Sequence, residues 1–194
     1  MVELDDEQKR LARCREGDQA AFAELIREHQ QMIHALTYRM TGSLADCQDL
    51  AQETFIRAYR QLDSYAGTAK FSSWLYRIAV NACLDWQRRE RRRGQIHTEW
   101  SADQLTQHHE PEPVAEDETS QAVQGALMKL PEKQRAAIVL TVYGGHNHAE
   151  AARMLGCSET TVSWRIFSAR RKLKRLLSGK LSENLNSKGG GHDR

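Results

Sequence analysis

The chain has 194 residues, 40% hydrophobic and 28% charged, with 12 glycines and 3 prolines, which fits one mid-sized domain or two small ones and excludes collagenous and wholly disordered classes. No stretch reaches the roughly 18 apolar residues of a membrane span, and the opening MVELDDEQKR has no apolar core behind a basic start, so a cytoplasmic protein without membrane insertion is expected. The net charge of +2 conceals segregation: residues 1–63 carry 8 basic and 12 acidic side chains, 64–93 carry 7 and 2, 94–128 carry 0 and 7, 129–180 carry 11 and 3, and 181–194 carry 2 and 2. Two basic blocks flanking an acidic spacer fit either two polyanion-binding surfaces or a set of solvated helix faces.

Apolar residues recur every three or four positions along most of the chain, and strand-like alternation never persists. Gly17, Gly42, Gly67 and Gly94 mark the ends of three helix-length segments. Phe22, Leu25, Ile26, His29, Ile33, Leu36 and Met40 form the stripe of the first. Ser43 is a candidate N-cap for the second, with Asp46 three residues on. Its apolar face is Cys47, Leu50, Ala51, Phe55, Ala58 and Leu62; Asp46, Asp49 and Glu53 lie on the other side. In the third, Phe71, Trp74, Leu75, Ile78, Ala79, Ala82 and Trp86 make the stripe, opposite Arg77, Asn81 and Arg88. Residues 94–128 hold Pro111, Pro113, seven acids and no Lys or Arg, and read as a linker. Helical pattern resumes near Ser120; Pro131 suits a first helical turn and Gly144-Gly145 a helix end. The final SENLNSKGGGHDR is polar and glycine-rich, so a frayed tail is expected. The fold class predicted is all-α: two small helical domains (1–94 and 120–178) joined by a flexible acidic linker (95–119), with a disordered tail (179–194).

Residues 149–177, AEAARMLGCSETTVSWRIFSARRKLKRLL, read as a helix-turn-helix within the second domain. Ala152 is small where two helices approach, Gly156 supplies the left-handed turn, Val162 packs back, and Ser158 caps the second helix. Val162, Ile166, Ala169, Leu173 and Leu176 must then face inward. Thr160, Thr161, Ser163, Trp164, Phe167 and Ser168 face outward near the helix start, where base edges are reached in a major groove. Arg170, Arg171, Lys172, Lys174 and Arg175 follow, placed to meet phosphates. A plain helical hairpin with a basic face is the alternative. Trp164 and Phe167 are either partly buried aromatics or apolar contacts to thymine methyls and sugars; with Val162 and Ile166 filling the inward face, Trp164 is read as a contact.

The first basic block, residues 65–93, has another character. Tyr65, Phe71, Trp74 and Tyr76 offer ring faces among Lys70, Arg77, Arg88 and Arg89, a mixture suited to single-stranded or flipped bases. Phe71 and Trp74 also fit a purely structural role in the core.

DLAQETFIRAYRQLDSY (49–65), FSSWLYRIAVNACLDWQRR (71–89) and HAEAARMLGCSETTVSWRIFSARRKLKR (148–175) together resemble the bacterial RNA polymerase sigma factors of the extracytoplasmic-function (ECF) group, over about residues 8–178. The resemblance implies a non-enzymatic, all-helical alternative sigma factor whose first domain binds core RNA polymerase and melts the promoter −10 element and whose second reads the −35 element. It assigns polymerase binding to Asp46, Asp49, Leu50, Gln52, Glu53, Phe55 and Ile56. Contact with single-stranded −10 DNA falls to Tyr65, Gly67, Lys70, Phe71, Trp74, Tyr76, Arg77, Asn81 and Arg88. Contact with duplex −35 DNA falls to Ser158, Thr160, Thr161, Ser163, Trp164, Arg165, Phe167, Ser168, Arg170, Arg171 and Lys172. A cognate anti-sigma factor is also implied. Many members carry a small and a basic residue on the outward face of the recognition helix, where this chain has Ser163, Trp164 and Ser168.

No catalytic residue, metal, cofactor or small-molecule substrate is expected. The chain has no GxxxxGK[ST] phosphate loop, and Cys14, Cys47, Cys83 and Cys157 stand 33, 36 and 74 residues apart, without a close pair. Two rival readings remain: a helix-turn-helix regulator acting without polymerase, and a metal-dependent nuclease built on His146, His148 and Glu150, whose two histidines cannot share one helix face.

Overall fold

The computed structural model describes residues 6–98 and 118–188. Helix α1 (Asp6–Arg15) buries Leu11 and Cys14. At the start of α2 (Gln19–Thr41), Asp18 Oδ1 accepts the backbone N–H groups of Ala20 and Ala21 at 2.9 and 3.1 Å, satisfying two of the donors every helix start leaves free. Gly42 ends α2 at φ +74°, its N–H donating to Tyr38 O. Ser43 caps α3 (Leu44–Arg60) by accepting from Asp46 N–H at 3.3 Å, as its position predicts. The stripes expected on α2 and α3 are the buried faces, with Phe22, Leu25, Ile33, Leu36 and Met40 meeting Cys47, Leu50, Ala51, Phe55 and Ala58.

A 3-10 turn at Leu62–Ser64 leads into an exposed loop and then α4 (Phe71–Thr98). This helix passes through Gly94, where a helix end was expected. Arginines, Glu90 and Gln95 on either side are good helix formers, and one interior glycine costs only about 1 kcal/mol.

The second unit begins with α5 (Glu118–Met128). Pro131 sits at the N-cap of α6 (Glu132–Ile138), and the helix widens into a π-helical turn, Val139–Tyr143, closed by Gly144 N–H on Val139 O at 3.0 Å. Helix α7 (His148–Leu155) opens with a reciprocal cap between Asn147 and Glu150 and closes at Gly156 (φ +60°), whose N–H donates to Ala152 O. Ser158 Oγ accepts Thr161 N–H at 3.2 Å at the start of α8 (Glu159–Lys188). Helix α8 runs into the segment expected to fray; Leu173, Leu177, Leu181 and Leu185 keep a four-residue spacing through it. The acidic stretch at 99–117 and the glycines at 189–191 lie outside the described residues.

Among the described residues all regular structure is helical, as expected. Helices α2, α3 and α4 pack on one another with α1 against α2, and α8 packs on α5, α6 and α7. The two units also share one continuous core, α5 and α6 lying on α2 and α6 and α7 on α4. The junction forms at the C-terminal carbonyls of α2, where Tyr38 O takes a second bond beside that from Gly42 N–H and Met40 O has no helical partner. Gln124 Nε2 donates to Tyr38 O at 3.0 Å, while Met40 O accepts from both Gln87 Nε2, at 2.8 Å, and the Arg135 guanidinium.

Candidate nucleic-acid interface

On α3, Asp49, Gln52 and Ile56 are exposed, Asp46 and Glu53 half-buried, and Leu50 and Phe55 buried. Phe55 and Ile56 line an apolar groove with Phe22, Ile26 and Tyr59. Tyr59, held edge-on against Phe22 at 4.9 Å, was not singled out from sequence; its 45% exposure next to exposed Ile56 is what marks it. Arg57 joins this helix to α4. Its Nε bonds Glu53 at 2.7 Å, its NH1 reaches Asp85 at 3.4 Å, and Asp85 in turn holds Arg88 at 2.7 Å. The guanidinium of Arg57 is held above its ordinary pKa, chiefly by the bond to Glu53.

Before α4, Tyr65 Oη donates to Ala69 O at 2.6 Å and Tyr65 O accepts from Arg15 at 2.6 Å, which pins the loop. The Tyr65, Phe71 and Trp74 rings form a triangle with centroid separations of 5.3–5.5 Å. Tyr65 and Phe71 are buried, at 4% and 1% exposure, and Trp74 is half-buried; Gly67, Lys70, Arg77, Asn81 and Arg88 are exposed. The rings therefore make a largely buried floor, and Lys70 and Arg77 share a cleft with its half-buried member, Trp74. Tyr76 turns away from this group. It is buried edge-on against His146 at 4.9 Å. A cleft between the loop and α7 is lined by Lys70, Trp74, Arg77, His146, Glu150 and Arg153. His146 is held below its ordinary pKa by burial, with Glu150 pulling the other way.

In the helix-turn-helix, Val162, Ile166 and Ala169 are buried as their spacing requires, while Trp164 and Phe167 are 62% and 65% exposed. Arg170, Arg171 and Lys174 are exposed along the next turns and Lys172 is half-buried. The Arg171 guanidinium lies 5.9 Å from the Phe167 ring centre, at the edge of cation–π range. Ser163 Oγ is hydrogen-bonded to His148 Nδ1 at 2.9 Å, Ser158 Oγ to Thr161 Oγ1 at 2.9 Å, and half-buried Arg165 donates to Cys157 Sγ at 3.3 Å. Thr160 is exposed and Ser168 half-buried.

Among the described residues one group, Glu7, Glu28 and His29, brings three ligand atoms within 4.8 Å of one another. The Arg10 guanidinium already occupies Glu28, at 2.5 Å, so a positive charge sits where a cation would bind. Of the residues of the nuclease reading, His146 Nδ1 lies 3.7 Å from Glu150, but its ring packs edge-on against Tyr76 and His148 is turned to Ser163, so the three do not form one ligand set. The described helices include none long and apolar enough to cross a membrane.

An aromatic-floored basic loop and a helix-turn-helix with a basic exit on one all-helical chain mark a DNA-binding protein. Residues 25–93 match Sigma-70 region 2 and residues 120–173 match Sigma-70, region 4. The chain is 39% identical over 170 residues to the ECF RNA polymerase sigma factor SigM of Mycobacterium tuberculosis, covering 88% of this chain and 83% of SigM. It superposes on the sigma factor RpoE of Bartonella quintana, solved with the anti-sigma factor NepR, at TM-score 0.68 and 25% identity over 81% of this chain and 96% of RpoE. CnrH, solved with the cytosolic domain of CnrY, gives TM-score 0.66 and 28% identity over 90% and 99%. The chain belongs to the ECF RNA polymerase sigma factors and is an alternative sigma factor directing transcription initiation. A regulator acting without polymerase would leave the region 2 match unexplained. Sigma factors are transcription initiation factors rather than enzymes.

Proposed function

We propose that this sigma factor seats core polymerase on α3 and its groove, opens the −10 element at the loop and first turns of α4, and reads the −35 element with α8. The observation that supports this most is the arrangement at 65–77, where exposed Lys70 and Arg77 line one cleft with Trp74, the half-buried member of the Tyr65–Phe71–Trp74 cluster. Stacking and charge at such a site offset the few kcal/mol (order of magnitude) needed to extrude a base. The sigma factor itself then contributes binding energy and no catalytic step. Asp46, Asp49, Leu50, Gln52, Glu53, Phe55 and Ile56 carry polymerase binding; Asn81 and Arg88 extend the −10 contact along α4.

Tyr76 and the cleft cations lie against α7, so full engagement of the −10 strand goes with movement of α7 away from α4. A cognate anti-sigma factor acting on these surfaces fits the solved relative RpoE, whose structure includes NepR. The site of action is the cytoplasm, where chromosomal DNA and polymerase meet.

The test is reconstitution with core polymerase, scored by transcript start sites and permanganate reactivity of unpaired thymines. Lys70→Ala and Arg77→Ala are expected to reduce opening while leaving polymerase binding intact. Arg171→Ala is expected to weaken −35 binding across sequences and lower the slope of log affinity against log salt by about one. Absence of initiation from every genomic fragment would overturn the assignment.

A further inference from the structure

The outward face of the first turns of α8, residues 159–168, lacks the groups that usually read bases. Bidentate recognition of guanine takes a free Arg or Lys, and of adenine a free Asn or Gln. Over residues 159–168 the sequence offers one such side chain, Arg165, and it is half-buried and donating to Cys157 Sγ. The hydroxyls of Ser158, Thr161 and Ser163 are engaged within the protein, the last with His148 of the neighbouring helix. Thr160 and Ser168 remain, but a hydroxyl both donates and accepts and so discriminates little between bases.

What this face does present is two large apolar side chains. Trp164 and Phe167 are three residues apart, on one face of the helix, and about two-thirds exposed, well beyond what a solvated helix needs. Ahead of them lies the capped helix start and behind them the cations Arg170, Arg171 and Lys174, which fix the helix on the backbone. The apolar feature of the major groove is the thymine 5-methyl group.

We infer that Trp164 and Phe167 read the −35 element through thymine 5-methyl groups, so that this element is selected by methyl contact rather than by bidentate hydrogen bonds. The inference rests on the assignment of α8 to the −35 element. It makes the two aromatics specificity determinants and His148 a positioning residue that holds Ser163 out of the readout.

The experiment uses holoenzyme formed from the full chain and core polymerase. Duplexes selected for binding are resynthesised with deoxyuridine for individual −35 thymines, which removes the methyl group and leaves every base-pairing and groove hydrogen bond in place. Burial of one methyl is worth about 0.8 kcal/mol, so each contacted thymine is expected to lose about fourfold in affinity. Trp164→Ala and Phe167→Ala should each make thymine and deoxyuridine equivalent at one position, with polymerase binding unchanged as a control for folding. A selected −35 element without thymines, equal binding of the two bases by the wild-type chain, or discrimination that survives in both variants would each overturn the inference. Sequence preference that persists with deoxyuridine would assign readout to DNA shape instead. Failure to initiate from any DNA would overturn the sigma-factor assignment itself, a distinct result.

Discussion

Gly42 shows how a single residue serves two purposes in this chain. Its φ of +74° ends α2, and a Cβ built there would lie 2.9 Å from Cγ and Sδ of Met128 on α5. Gly17 has φ +91° but nothing within 4 Å of its Cβ position. Left-handed backbone costs a non-glycine residue about 1–2 kcal/mol; only at Gly42 must a packed neighbour also move. Gly42→Ala is therefore expected to destabilise the chain by about 2 kcal/mol and Gly17→Ala by about 1, compared by urea unfolding. Glycines at helix ends are legible in sequence. The close approach of Met128, 86 residues away along the chain, is not, because no local pattern encodes which side chain will cover a turn. Gly94 marks the converse limit, a glycine that looks like punctuation and is ordinary helix.

At the scale of elements, the contact between α4 and α7 depends on a titratable ring. His146 is buried against Tyr76, and burial keeps its pKa below the ordinary 6.5. As pH falls, the unfolded chain takes up this proton before the folded one, so the stability tied to neutral His146 is complete above about pH 6.5 and is lost progressively below it. His146→Phe keeps a ring against Tyr76 and removes the proton. Thermal unfolding followed from pH 7.5 to pH 5 should fall less steeply for this variant than for wild type; parallel curves would show that the ring does not titrate in the fold. Caps at Ser43 and Ser158, the inward stripes of α2, α3 and α4, and the inward face of α8 were all readable from spacing, since each depends on residues within one or two turns. The Asn147–Glu150 reciprocal cap went unread because its first residue lies behind His146 and Gly145, in a run that looks like loop.

Across the whole molecule, the two units are joined through Arg135. It is 5% exposed, and it donates to Met40 O on one unit and to Met128 O and Leu130 O, each at 3.2 Å, on the other. Burial lowers its pKa to about 10, so it remains charged at neutral pH and leans on those carbonyls for solvation. Arg91 on Glu132 at 2.7 Å and Arg39 over the Tyr143 ring at 4.2 Å add exposed links, each worth less than about 1 kcal/mol. Lysine keeps the charge but has one nitrogen where Arg135 uses two, NH1 on Met40 O and NH2 on Met128 O and Leu130 O. Arg135→Lys should thus cost about 2 kcal/mol in urea unfolding, and a larger radius of gyration by small-angle scattering should accompany it as the units part. An unchanged radius would place the loss within one unit.

The sequence by itself determined the all-helical class, the inward faces of α2, α3, α4 and α8, and the helix-turn-helix, because these follow from three- and four-residue spacing and capping chemistry. Only the tertiary structure decided which aromatics of the first basic block are floor and which are turned aside, and which hydroxyls of α8 are already engaged. It also brought the second unit against the end of α2. Those outcomes depend on unsatisfied carbonyls and apolar faces meeting across long separations, where burial and hydrogen-bond satisfaction select partners that no local pattern names.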